Sequence, residues 1–113
     1  MKNLLKLCNI LALIVSISFF TRSAFAWDGI TTGKIVQVDV TGGQGNYNFR
    51  VILAGSPALC SGGATWAFVN EIDSNYKVYV ATLLAARMAD RQVLLYTTNV
   101  ANGFCQIGYI TVL

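Results

Sequence analysis

The first 26 residues read as a leader, and that sets how much chain is left to fold. Lys2 and Lys6 open the sequence, an apolar run covers residues 10–20, and Ala24-Phe25-Ala26 has the small-x-small pattern after which signal peptidase cuts. The run is shorter than the roughly 18–20 residues of a membrane span. The expected folding unit is therefore residues 27–113, one exported domain of 87 residues in the periplasm or the medium. A domain of that size buries only about 60–65% of its unfolded surface. Its core needs help.

The help is expected from cysteine. Cys8 falls in the leader, which leaves Cys60 and Cys105. An even pair in a small exported domain reads as a disulfide. Closing a loop of roughly 46 residues would add about 4 kcal/mol in the chain-entropy account. Charge changes with the leader as well. The full chain has 8 Lys+Arg against 5 Asp+Glu. Lys2, Lys6 and Arg22 precede Trp27, so five of each sign remain and the domain is neutral. Nucleic acid is not expected as a partner, since phosphate neutralisation needs a basic stripe.

The patterning is mostly that of strands. Residues 27–32 read as an N-terminal arm with a turn at Asp28-Gly29. Residues 34–40 alternate, with Val36, Val38 and Val40 on one face and Ile35, Gln37 and Asp39 on the other. Residues 41–46, rich in glycine, form a turn that makes a hairpin with a second strand at 47–53, where Tyr47, Phe49, Val51 and Leu53 are expected inward and Asn48 and Arg50 outward. Residues 65–70 form a third strand with Trp66 and Phe68 on one face. Asp73-Ser74-Asn75 supplies helix N-cap residues, with Asp73 the expected cap, and residues 76–90 form the helix. Strands at 92–97 and 104–113 follow, joined across Asn102-Gly103. The fold class is mainly β, a small α+β protein. The order matches a five-stranded OB-like barrel with one helix between strands 3 and 4; an open α+β sheet has the same order.

The helix is apolar nearly all round. Tyr76, Val80, Leu83, Leu84 and Met88 form the expected core face. Opposite them runs a small-residue stripe that includes Ala81, Ala85 and Ala89. That stripe is either surface alanine or the seam of a homo-oligomer. The aromatic residues Tyr47, Phe49, Trp66, Tyr79, Tyr96 and Tyr109 are expected mostly in the core.

Chemistry-bearing patterns are sparse. The chain has no histidine, which removes most general-base and zinc-ligand schemes. Cys60 and Cys105 are expected to be paired, not nucleophilic. No spacing among Asp28, Asp39, Glu71, Asp73 and Asp90 points to a carboxylate pair. Gly42-Gly43-Gln44-Gly45 lacks the Lys-Ser/Thr of a phosphate loop and opens no helix. No enzyme activity, cofactor or metal is expected.

Several stretches together resemble the pentameric, glycan-binding B subunits of AB-type toxins, in the subtilase cytotoxin and typhoid toxin group. Trp27 would stand at the new N-terminus. Asp28-Gly29-Ile30-Thr31-Thr32-Gly33 is similar to that family's Asp-Gly-x-x-Ser-Gly. Tyr47 and Phe49 form an aromatic pair, and Gln92-Val93-Leu94-Leu95-Tyr96 follows the helix. The resemblance implies an OB-fold, a homo-oligomer, a host glycan as ligand and a toxin A subunit as partner. It implies ligand-binding roles for Asp28 and for Thr32, which keeps the hydroxyl of the family's serine. The family's tyrosine near the helix end has no counterpart at Arg87-Met88, and the cysteine spacing differs. The other reading is a periplasmic or secreted structural or protein-interaction module without a small-molecule site.

Overall fold

The computed structural model describes residues 27–113; the leader at 1–26, with Cys8, lies outside the described residues. The elements are β1 (Gly29–Val40), β2 (Phe49–Leu53), β3 (Ala67–Val69), α1 (Tyr76–Met88), β4 (Gln92–Asn99) and β5 (Cys105–Val112). The five strands form one sheet closed into a ring in the order β1-β2-β3-β5-β4. All neighbours are antiparallel except β3 and β5, which are parallel.

β1 closes the ring because it is long enough to serve two partners. Its first half, from Gly29 to Lys34, pairs with β4, and its second half, from Ile35 to Val40, pairs with β2. The expected arm at residues 27–32 is thus corrected: from Gly29 onward it is strand, and Asp28-Gly29 is no free turn. The strand bends where it changes partner, at a bulge between Ile35 and Gln37. The bulge also reverses which side chains face inward. Ile35 is buried and Val38 packs against the core, whereas Val36 and Val40 are exposed, so the single face expected for Val36, Val38 and Val40 is broken.

A second bulge lies in β5. Tyr96 pairs with Tyr109 and Thr97 with Ile107, so Gly108 is the extra residue. A bulge leaves a backbone group outside the ladder, and the helix uses both of them. The Arg87 guanidinium donates to the carbonyl of Ile35. The Tyr79 hydroxyl donates to the carbonyl of Gly108 at 2.7 Å. Between these anchors α1 sets Leu83 and Ala86 into the core. Leu84 and Met88, expected on the core face, are exposed, Met88 at 86%. Tyr76, Val80 and Leu83 do face the core as expected, and Tyr79 and Ala86 join them in place of Leu84 and Met88, because the two anchors fix the helix's roll. Nor does Asp73 cap the helix. The N-cap is Asn75 without a side-chain bond, and the Asp73 carboxylate accepts from the Asn70 N–H (2.8 Å) and the Gln106 amide (3.2 Å).

The core is aliphatic around Phe49, with Ile35, Val51, Leu53, Leu59, Val93, Leu95 and Ile107. The disulfide Cys60–Cys105 is present, Cα–Cα 5.6 Å, and joins the loop after β2 to the start of β5. Two polar side chains are buried, each for a purpose. Asn48, expected outward, is 1% exposed. Its amide donates to the carbonyls of Thr41 and Gly43 and its oxygen accepts from the Glu71 N–H (2.8 Å), so it pins the glycine-rich turn to the segment after β3. The Thr97 hydroxyl donates to the Leu59 carbonyl. Replacing Tyr79 by Phe keeps the ring and deletes the bond to Gly108, so a loss of about 1 kcal/mol is expected. Urea unfolding will read it as a lower midpoint at unchanged slope.

Candidate functional site

The outer face of β1, β4 and β5 carries the most organised set of exposed side chains. Val93, Leu95 and Thr97 face inward on β4 and are buried, which turns Leu94 and Tyr96 outward. Register then builds two parallel rows across three strands. One is Ile30–Tyr96–Tyr109 and the other is Thr32–Leu94–Thr111. The Gly108 bulge is what turns Tyr109 outward. Without it, the alternation from Cys105 and Ile107 would carry Tyr109 into the core.

Trp27 completes the aromatic row. Its ring lies 5.5 Å from that of Tyr96, and Tyr96 lies 5.0 Å from Tyr109 in an edge-to-face arrangement. A Cβ at position 108 would collide with the Trp27 ring, so only glycine lets the indole lie against the strand. Tyr109 stays 53% exposed at the end of the row. The hydroxyl-bearing row lies two residues along the strands, about 7 Å away. An apolar ring face flanked by hydroxyl groups is a surface for a flat ligand with one apolar face and a polar rim.

The two residues carried over from the toxin resemblance fall on this face in different ways. Thr32 sits in the hydroxyl row, exposed. Asp28 lies about 13 Å away along the strand. Its carboxylate accepts from the Asn99 N–H at 2.8 Å, its own N–H donates to the Thr97 carbonyl, and its carbonyl accepts from Ser61. Asn99 in turn bonds Ser61 and the Gly62 N–H. Asp28 therefore fastens the disulfide loop to the end of β4, and the structure does not bring it together with Thr32.

Beside the aromatic row opens a cleft of about 290 Å³. Asp73, Ser74 and Asn75 line one wall, and Thr98, Gln106 and Gly108 line the other. It adjoins the row through Gly108, beneath Trp27, and through Thr98, two residues beyond Tyr96. On α1 itself, Ala81, Ala85 and Ala89 are exposed. Val78, Leu84 and Met88 are exposed with them and widen the small-residue stripe into an apolar helix face. Among the described residues no three His, Cys, Asp or Glu side chains are grouped to hold a metal ion, and no helix is long and apolar enough to cross a membrane.

No family model, curated protein or solved structure matches the chain. The site rests on its own geometry. Tyr96 and Tyr109, both expected mostly in the core, point outward instead: Tyr96 by the parity of β4, and Tyr109 by a one-residue bulge. The geometry separates the roles of the two candidate residues by stability. Asp28→Ala deletes a charge-assisted bond and is expected to cost about 1 kcal/mol. Thr32→Ala is expected to change stability by less than about 0.5 kcal/mol. Thermal unfolding of the two variants checks both.

Proposed function

We propose that this is an exported, non-catalytic carbohydrate-binding protein of the toxin B-subunit kind, with an OB-like barrel and its sugar platform on the outer face of β1, β4 and β5. One observation carries the reading: the exposed Tyr109 ring and the half-buried Tyr96 ring stand one row from the hydroxyls of Thr32 and Thr111. Sugars offer that complement, an apolar C–H face for an aromatic ring and hydroxyls at its edge. The ring order and the helix between β3 and β4 support an OB-like barrel, a fold that binds oligosaccharides. The Cys60–Cys105 disulfide is compatible with an oxidising, exported location, periplasmic or extracellular.

In this reading Thr32 hydrogen-bonds the sugar directly, and Asp28 contributes its second carboxylate oxygen at the edge of the platform. In the same reading a host glycan is the ligand and a toxin A subunit the partner. A glycan array tests it. Tyr109→Ala is expected to lower binding at least tenfold, the equivalent of about 1.4 kcal/mol, at an unchanged melting temperature. An array on which the exported protein binds nothing would sink the proposal.

The exposed apolar face of α1 favours a second element, assembly. Val78, Ala81, Leu84, Ala85 and Met88 form a continuous strip on a small neutral domain. In our reading this strip is the seam of a homo-oligomer. Light scattering behind size exclusion is expected to give a multiple of the protomer mass, and Ala85→Arg is expected to give a folded monomer. An unmodified protein that is already monomeric would favour an interaction module with a different partner.

A further inference from the structure

A second aromatic group lies on a different outer face, that of β2 and β3. Ala67 and Val69 supply the core side of β3, so Trp66 and Phe68 point outward. Phe68 is nevertheless 1% exposed, because Tyr47 covers it at 4.6 Å between ring centroids. Phe104 lies 4.7 Å from Trp66 with the two rings tilted by 44°, and meets Tyr47 edge-on at 5.1 Å. Covering Phe68 explains Tyr47. It does not explain the half-exposed Trp66 and Phe104, nor what lies on them.

Arg50 lies on them. Its guanidinium sits 5.0 Å from the centre of the Trp66 ring. Nε donates to the Tyr47 carbonyl at 2.9 Å and Nη2 to the Asn46 carbonyl at 3.4 Å. Those bonds use two of the five guanidinium donors and leave Nη1 wholly uncommitted. A carboxylate stands ready nearby. Asp39 is directly opposite Arg50 in the β1–β2 register, within ordinary reach of an ion pair. Yet Asp39 takes its hydrogen bonds from the Gln37 amide, and the salt bridge found among the described residues is Lys34–Asp90. Arg50 is held away from its neighbour and against the indole.

The backbone that holds it is itself unusual. Tyr47 has φ +52°, a left-handed conformation rare for a bulky side chain. It is kept there by its N–H donating to the Asn70 side chain at 2.7 Å. Strained residues of this kind gather at binding sites, where surrounding structure fixes a geometry in advance. Here the strain aims the Tyr47 carbonyl at Arg50 and the Tyr47 ring at Trp66.

From this arrangement we infer that the Trp66–Arg50 face binds an acidic sugar unit, a six-membered sugar ring bearing a carboxylate, as in a uronic acid. The carboxylate pairs with the free edge of the Arg50 guanidinium, which is shaped for two parallel N–H···O bonds. The sugar's C–H face lies on Trp66 and Phe104. This site is separate from the β1–β4–β5 platform and does not depend on it.

The chain has two tryptophans, one on each face, so a single spectrum reads both. The exported protein, labelled with 15N, is titrated with sodium glucuronate, with glucose and with sodium acetate. The two indole N–H signals are assigned by their contacts to Phe104 and to Tyr96. Glucuronate is expected to shift the Trp66 indole saturably, with a dissociation constant of about 1–10 mM. Glucose and acetate, each carrying half of the recognised chemistry, are expected to leave it unmoved at the same concentrations. Arg50→Gln is expected to weaken the glucuronate effect at least about tenfold, and Arg50→Lys not to restore it. An unmoved Trp66 signal in the unmodified protein overturns the site, whether or not Arg50→Gln folds. So does an equal response to glucose or acetate. A shift of the Trp27 indole alone also overturns it, and assigns the binding to the other face.

Discussion

Two backbone carbonyls, those of Ile35 and Gly108, hold the molecule in its shape. Each lies at a bulge, and each accepts a side-chain bond from the helix. A sheet of five strands closes only if some strands bend, and a bulge is how a strand bends. The bend strands a carbonyl, which must find a donor or remain a buried cost. Tyr79 and Arg87 are those donors, eight residues apart on one helix. The irregularities that curve the ring and the contacts that seat its helix are therefore one device. Gly108 adds a third service, since its bare α-carbon is what Trp27 lies against on the outer side.

This arrangement also sorts the aromatic residues. The core proper is aliphatic around Phe49, with Tyr76 and Tyr79 at its margin. Most of the remaining rings lie outside the ring of strands in two groups, Trp27–Tyr96–Tyr109 and Tyr47–Trp66–Phe68–Phe104. A domain this small has little apolar surface to spare for stability. Rings placed on its exterior are expensive unless something comes to cover them. The two groups differ in chemistry: the first is neutral and hydroxyl-rimmed, the second has a guanidinium laid on it. The exposed helix strip is a third surface, apolar and without rings.

Element order, the disulfide and the positions of the turns could be read from the residues, because each rests on local chemistry. Glycine-rich residues 41–46 reverse the chain, Asn102-Gly103 turns β4 into β5, and the two cysteines beyond the leader pair. Side-chain direction could not be read so far. At Val36 and at Tyr109 a single extra residue reverses the alternation, and nothing nearby in the sequence announces it. On β3 Trp66 and Phe68 do share one face, but Trp66, expected mostly in the core, lies on the outer one, because the narrow ring interior takes Ala67 and Val69. The helix face was off by part of a turn because its roll is set by two long-range hydrogen bonds, not by its apolar pattern. Of the candidate ligand residues, Thr32 was expected at the end of an arm, and only its pairing with Leu94 makes it an exposed strand residue. The role of Asp28 as a fastener was hidden in contacts to Ser61 and Asn99, far along the chain.

The shortest strand has a consequence of its own. β3 is three residues long, and its pairing with β5 is the one parallel joint, resting on Ala67 opposite Cys105 and Phe68 opposite Gln106. The disulfide ends at one member of the first of those pairs, and its other end lies in the loop seven residues before Ala67. The chain that leads into β3 is thus covalently tied to the strand that β3 pairs with. The joint of the ring with the fewest ladder bonds is the one backed by a covalent bond.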